Sequence, residues 1–144
     1  MGGYENPRWR IPLAKRPGYE FFGHALGGLR EHLPAPYPVI VRTGRLGDAI
    51  DGQCVRRARR FVVMLDRKLS CDQAVEALLH EWAHARAWNH RLDRAAAGKM
   101  ALEDFEAIAH GGEFGVAYAE CWRTLVTRIV PGWMARTGSG AGPG

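Results

Sequence analysis

The chain has 144 residues, of which 47% are hydrophobic and 24% charged, a composition that fits one globular domain with a real core and leaves no room for a second. No window approaches the roughly 20 apolar residues of a membrane-spanning helix, and the start MGGYENPRWRIPLAKRPG lacks the apolar run of a secretory signal, so a cytoplasmic protein is expected. The three cysteines, Cys54, Cys71 and Cys121, are far apart and form no CxxC pair, which argues against a disulfide framework and a cysteine zinc ribbon, while the formal charge of +5 leaves room for a polyanionic partner.

Residues 1–18 carry Pro7, Pro12 and Pro17 and several glycines, and predict an extended N-terminal arm. From Tyr19 to Leu33 the apolar positions Phe22, Leu26, Leu29 and Leu33 recur near the helical period, which predicts a first helix weakened by Gly27 and Gly28. The β-branched run at Val39, Ile40 and Val41 and the stretch Phe61 to Leu65 predict two strands, with a third short one around Gln53 to Arg56 between them. Ser70 followed by Gln73 forms a capping box, and Val75, Leu78, Leu79, Trp82 and Ala83 then repeat helically, so a helix is expected from near Ser70 to about Asn89. A short helix from Ala101 to Ala109 follows. The last helix runs from Glu113 to about Val130 and stops at Pro131, before a flexible glycine-rich tail at 135–144.

The chemistry concentrates in the segment EALLHEWAHARAW. Histidines four apart lie one turn from each other on the same helix face, so His80 and His84 can reach a single ion. Glu81 sits about 100° round from His80, where its carboxylate lies beside the metal without being a ligand and can take a proton from coordinated water. HEWAH is therefore an HExxH motif, with His80 and His84 as zinc ligands and Glu81 as general base. Arg86 stands at a position more often apolar.

A catalytic zinc uses three protein ligands and keeps a fourth position for water, so another ligand is expected downstream. The candidates are His90, His110, Glu113 and Glu120, with the acids of LEDFE as outsiders. The helical period turns His90 away from the face of His80 and His84. Glu120 projects away from the stripe formed by Phe114, Ala117, Tyr118, Cys121, Leu125 and Ile129 and reads as a solvated acid. His110 stands in AHGGEF, where two glycines let the backbone turn a side chain toward the cleft. It is the preferred third ligand, with Glu120 and Glu113 left open.

HEWAH followed 26 residues after His84 by HGGEF resembles the SprT-like (Spartan-related) metallopeptidases, whose third zinc histidine lies in an HG-x-x-F segment. The resemblance covers about residues 60 to 125 and implies His80, His84 and His110 as zinc ligands, Glu81 as catalytic acid/base and Phe114 as an aromatic packing residue. The gap before His110 is somewhat long and the group's cysteine zinc ribbon is missing, so a role in repairing DNA–protein crosslinks is not carried over. The chain also resembles small phage-encoded members, which admits a virion-associated setting.

The expected architecture is a single-domain α+β zincin-like fold over residues 19–134, a small twisted sheet packed on the HExxH helix with flanking helices. The expected activity is Zn2+-dependent hydrolysis of peptide bonds in a protein or peptide substrate. If the strand VVML is the upper edge of the cleft, an extended peptide can pair with it by main-chain hydrogen bonds, an expectation that a second strand covering this edge would remove. Two rival readings stand beside this one: a non-catalytic zincin-like module, and a basic protein contacting nucleic acid through Arg56, Arg57, Arg59 and Arg60. His24 and His32 are read as surface or partly packed residues, and Trp82, Trp88, Trp122 and Trp133 as core.

Overall fold

The computed structural model describes residues 12–89, 91–93, 98 and 101–138. Three strands, β1 (Val39–Gly44), β2 (Gly52–Arg57) and β3 (Arg60–Asp66), form one sheet in the order β1-β3-β2, with β1 parallel and β2 antiparallel to β3. The apolar run of β3 is continuous because this strand is central: Phe61, Val63 and Leu65 are essentially inaccessible and Val62 is also buried. VVML is therefore not an edge, since both of its sides are paired. β1 and β2 are the edge strands, and β2, which the antiparallel hairpin at Ala58 folds back beside β3, is the one whose Gly52 lies against Glu81.

Asp66 at the end of β3 is buried and joins three segments. Its Oδ2 accepts from the Leu46 N–H at 2.8 Å, its Oδ1 from the Lys68 N–H at 2.9 Å, and its own N–H donates to Asp51 O at 2.8 Å. Burial by itself would raise this carboxyl, but the two backbone N–H groups, with Lys68 and Arg67 nearby, hold it below the ordinary carboxylate range. The loop that leads into β2 is thereby fastened to the start of the next helix.

That helix, α2 (Cys71–Arg86), opens with the Ser70/Gln73 capping box in both directions and ends three residues earlier than expected. Ala74, Val75, Leu78, Leu79, Trp82, Ala83 and Ala85 are buried, and the Trp82 indole N–H donates to Leu33 O at 2.8 Å. The first helix, α1 (Glu20–His32), packs on it through Phe22, Ala25, Leu26 and Leu29. Residues 12–18 of the expected arm are not extended. Leu13–Lys15 form a 3-10 turn, Leu13 enters the core, and the Arg16 guanidinium donates to Arg67 O at 3.1 Å.

The C-terminal half begins with α3 (Leu102–Ala109) and α4 (Gly112–Thr124). Pro131 does not end the chain's last helical run. A π turn over Leu125–Ile129 brings the Val130 N–H to Leu125 O, and α5 (Val130–Thr137) continues with Pro131 in its first turn, where no N–H is needed. Apolar residues spaced by four drift about 40° per step on an α-helix, and the wider π turn counters that drift, so Ile129 stays buried at 2% exposure. Gly138, with φ 75°, caps α5 in the left-handed region. Residues 135–137 of the expected tail are thus helical. His24 joins α1 to this run: its Nε2 donates to Ile129 O at 2.9 Å and Arg136 lies 3.3 Å from its Nδ1.

Among the described residues no helix is long and apolar enough to cross a membrane. The architecture is the expected α+β zincin-like single-domain arrangement, with the sheet on one side of α2 and helices on the other.

Adjacent glycines in α1 have opposite surroundings, which sets opposite signs for the same substitution. A Cβ at Gly28 would lie 2.6 Å from Ile129 Cγ1, whereas one at Gly27 meets nothing within 4 Å. Gly27→Ala is expected to raise stability by about 0.5–1 kcal/mol through helix propensity. Gly28→Ala is expected to lower it by about 1–3 kcal/mol through overpacking, both read from urea denaturation midpoints. Equal signs at the two positions would contradict this packing. Asp66→Ala should cost about 1–3 kcal/mol at pH 7, the penalty of two orphaned N–H groups. Because the folded pKa is depressed, that contribution is present above the unfolded pKa and lost as pH falls through the folded one. The gap between wild type and variant should therefore narrow on acidification.

Candidate metal centre

His80 and His84 project from the same face of α2, and His110 meets them from the short junction between α3 and α4. The Nε2 atoms of the three side chains form a triangle: His80 to His84 3.3 Å, His84 to His110 3.1 Å, and His110 to His80 3.4 Å. An ion holding ligands tetrahedrally at about 2.0–2.1 Å separates them by about 3.3–3.4 Å along each edge. The triangle has the size a zinc-like ion requires.

The imidazoles are also prepared electronically. His110 Nδ1 lies 2.9 Å from Glu106 O, an acceptor only, so Nδ1 carries the proton and the Nε2 lone pair of the neutral ring points at His80 and His84. Burial, reinforced by His80 and then His110, pushes His84 down to about 3. His80 is lowered by burial and by His110. Both rings are neutral near pH 7, the form that binds a cation. Phe114, one turn into α4, stacks on His84 with centroids 4.3 Å apart and touches His80 and His110 at 5.0 Å each. One apolar ring thus backs the whole triad.

Glu81 is 6% exposed and lies on the sheet side of α2. Gly52 at the start of β2 allows this approach, since a Cβ there would lie 3.1 Å from Glu81 Cγ and 3.3 Å from Oε2. Burial raises the carboxyl to about 7, which suits proton exchange near neutrality. The neighbouring Cys54 thiol is pushed up by burial and by Glu81. A cavity of about 470 Å³ opens here, lined by Ile50, Gly52, Glu76, His80, Glu81 and Tyr118 among others.

The other candidate ligands are engaged elsewhere. Glu113 accepts from Arg91 at 2.6 Å and from Asn89 at 3.3 Å, and Glu120 pairs with Arg86 at 3.7 Å. Arg86 also donates to Pro34 O at 2.6 Å, so this unusual position for a charge connects α2 to the end of α1 and to α4. Of the acids in LEDFE, Glu106 acts through its carbonyl. His90 lies outside the described residues. In the arginine cluster, Arg56 is bound to Asp93 at 2.8 Å and so is not a free cation, while Arg57, Arg59 and Arg60 are exposed at the β2–β3 hairpin. Trp122, expected in the core, is 38% exposed. The roughly 40° drift per four residues carries the series Phe114, Tyr118, Trp122 out of the interface.

Sequence reasoning passed over Gly52 and the Glu106 carbonyl, which carry no pattern. It also placed Tyr118 only in the apolar stripe, although its i+4 spacing from Phe114 was a usable signal for the cleft. Compared with known proteins, the chain matches no family model, no curated protein and no solved structure. The triad and its helix show a zincin-like metal-binding arrangement, a histidine cluster able to hold a divalent ion such as Zn2+.

The arrangement ranks the candidates by experiment. His80→Ala, His84→Ala and His110→Ala should each abolish stoichiometric zinc in protein purified and measured by mass spectrometry, while Glu113→Gln and Glu120→Gln retain one ion per chain. Zinc lost from either glutamine variant, or kept by His110→Ala, would reassign the third ligand.

Proposed function

We propose that the chain is a zinc metalloendopeptidase of the HExxH type, with His80, His84 and His110 as ligands and Glu81 as acid/base. The observation that carries this reading is the 3.1–3.4 Å triangle of imidazole nitrogens beside a buried carboxylate raised to about 7. A zinc ion held by this triad supplies Lewis acidity, which polarises a water molecule and the scissile carbonyl. Glu81 accepts the proton from the attacking water as the new C–O bond forms. It then delivers that proton to the amide nitrogen as the C–N bond breaks, leaving a carboxylate and an amine.

Substrate is held by β2. With VVML paired on both sides, the unpaired edge next to Glu81 is that of β2, and an extended peptide adds there through main-chain hydrogen bonds. This mode gives weak side-chain specificity. The combination of HEWAH with a downstream HGGEF supports a SprT-like member, even with its somewhat long gap, with residues 19–134 as the catalytic domain.

Glu81→Gln separates catalysis from a purely structural or binding role. Zinc content and thermal midpoint should be retained, while hydrolysis of an unfolded protein such as casein drops by about 100-fold or more. Unchanged hydrolysis in this variant would remove the proposed role of Glu81.

A further inference from the structure

The cavity beside the triad has two walls. Glu81, against Gly52 of β2, forms one, and Tyr118 of α4 forms the other. Three rings fix the plane of Tyr118: it meets His80 edge-on at 5.5 Å, stacks on Phe114 at 5.4 Å, and has Trp122 edge-on at 6.3 Å. Its hydroxyl has no protein partner among the described residues. A phenol held this firmly, yet left without a hydrogen bond in a cleft, is available to a ligand.

Amide hydrolysis builds negative charge on the carbonyl oxygen, and a donor already aimed there is worth about 10²–10³ in rate. The other side-chain donors on the two walls do not serve. Gln73 lies seven residues before His80, about 10 Å along α2, and its Oε1 is committed to the Ser70 N–H. Gln53 lines the cavity on the other side of the triad, with Trp88 and His110, and not the one that Tyr118 lines. The Trp88 indole N–H is donated to Asp93 at 2.8 Å. Among the described residues no lysine or arginine lines the cavities on either side of the triad.

We infer that the Tyr118 hydroxyl is the hydrogen-bond donor that receives the developing oxyanion of the substrate, an assignment that rests on the peptidase reading above. Base and donor then face each other across the scissile carbonyl. Water is deprotonated from the β2 wall, and the carbonyl oxygen is held from the α4 wall. Tyr118 transfers no proton. It shares its O–H with an oxygen that is more negative in the transition state than in bound substrate, so its contribution falls on kcat rather than KM.

Tyr118→Phe tests this, because the ring and its three aromatic contacts are kept. In the zinc-loaded protein, kcat should fall on the order of 100-fold with KM changed less than about threefold, and zinc stoichiometry and thermal midpoint should be those of wild type. A peptide phosphonamidate, a tetrahedral mimic that needs no turnover, should bind on the order of 100-fold more weakly to the variant by calorimetry. If wild type hydrolyses nothing, the peptidase reading fails and the oxyanion role falls with it; a phosphonamidate affinity that still drops in Tyr118→Phe then shows a hydroxyl that donates to a bound tetrahedral anion and not to a substrate oxyanion. If Glu81→Gln abolishes hydrolysis while Tyr118→Phe leaves kcat and affinity within about threefold, the donor assignment is overturned and the peptidase reading stands. Loss of zinc from Tyr118→Phe would also overturn it, by showing that the hydroxyl supports the metal site instead.

Discussion

Three imidazole nitrogens directed at one point are held there by the packing of α4 against α2, and the chemistry of the molecule depends on that convergence. Neutral nitrogen lone pairs 3.1–3.4 Å apart repel unless a proton or a cation lies between them. The Glu106 carbonyl removes one protonation option by fixing the tautomer of His110. Burial opposes the charged forms of His80 and His84. The cluster is one that can hold a divalent ion.

The same packing explains features remote from the histidines. α4 can lie along α2 because Phe114, Ala117 and Cys121 present small and flat surfaces to it, and because the run continues through a π turn that keeps Ile129 facing α1. The close approach of Ile129 to Gly28 turns an apparent weakness of the first helix into a requirement of the core. Gly52 does the corresponding service on the sheet side, where its missing side chain admits Glu81. Two glycines thus permit close approaches, one between α1 and the π turn and one between β2 and the central helix.

Much of this was legible along the chain. The capping box at Ser70, the apolar period of α2 and the HExxH spacing are local signals, written over a few residues, and each is realised as read. The strands were legible too, because β-branched runs bounded by charges need no partner to be recognised. Pro131 misled because its missing N–H is disruptive only inside a regular α register, and the preceding π turn removes that conflict. VVML misled because a continuous apolar run reports that both faces of a strand are covered, whereas its place in the pairing order depends on the neighbouring strands and is not encoded in the run itself.

The sequence by itself determined that two histidines and a glutamate share one helix, since a helix converts spacing into direction with no help from the rest of the molecule. It also determined that a sheet precedes that helix. Only the tertiary structure decided which distant groups lie beside them: His110, while the acids are paired with Arg91 and Arg86, the Glu106 carbonyl behind it, and Tyr118 across the cavity. These depend on how α3, α4 and β2 are packed around α2. Such packing is settled by the summed contacts of the whole core, and no short stretch of chain contains it.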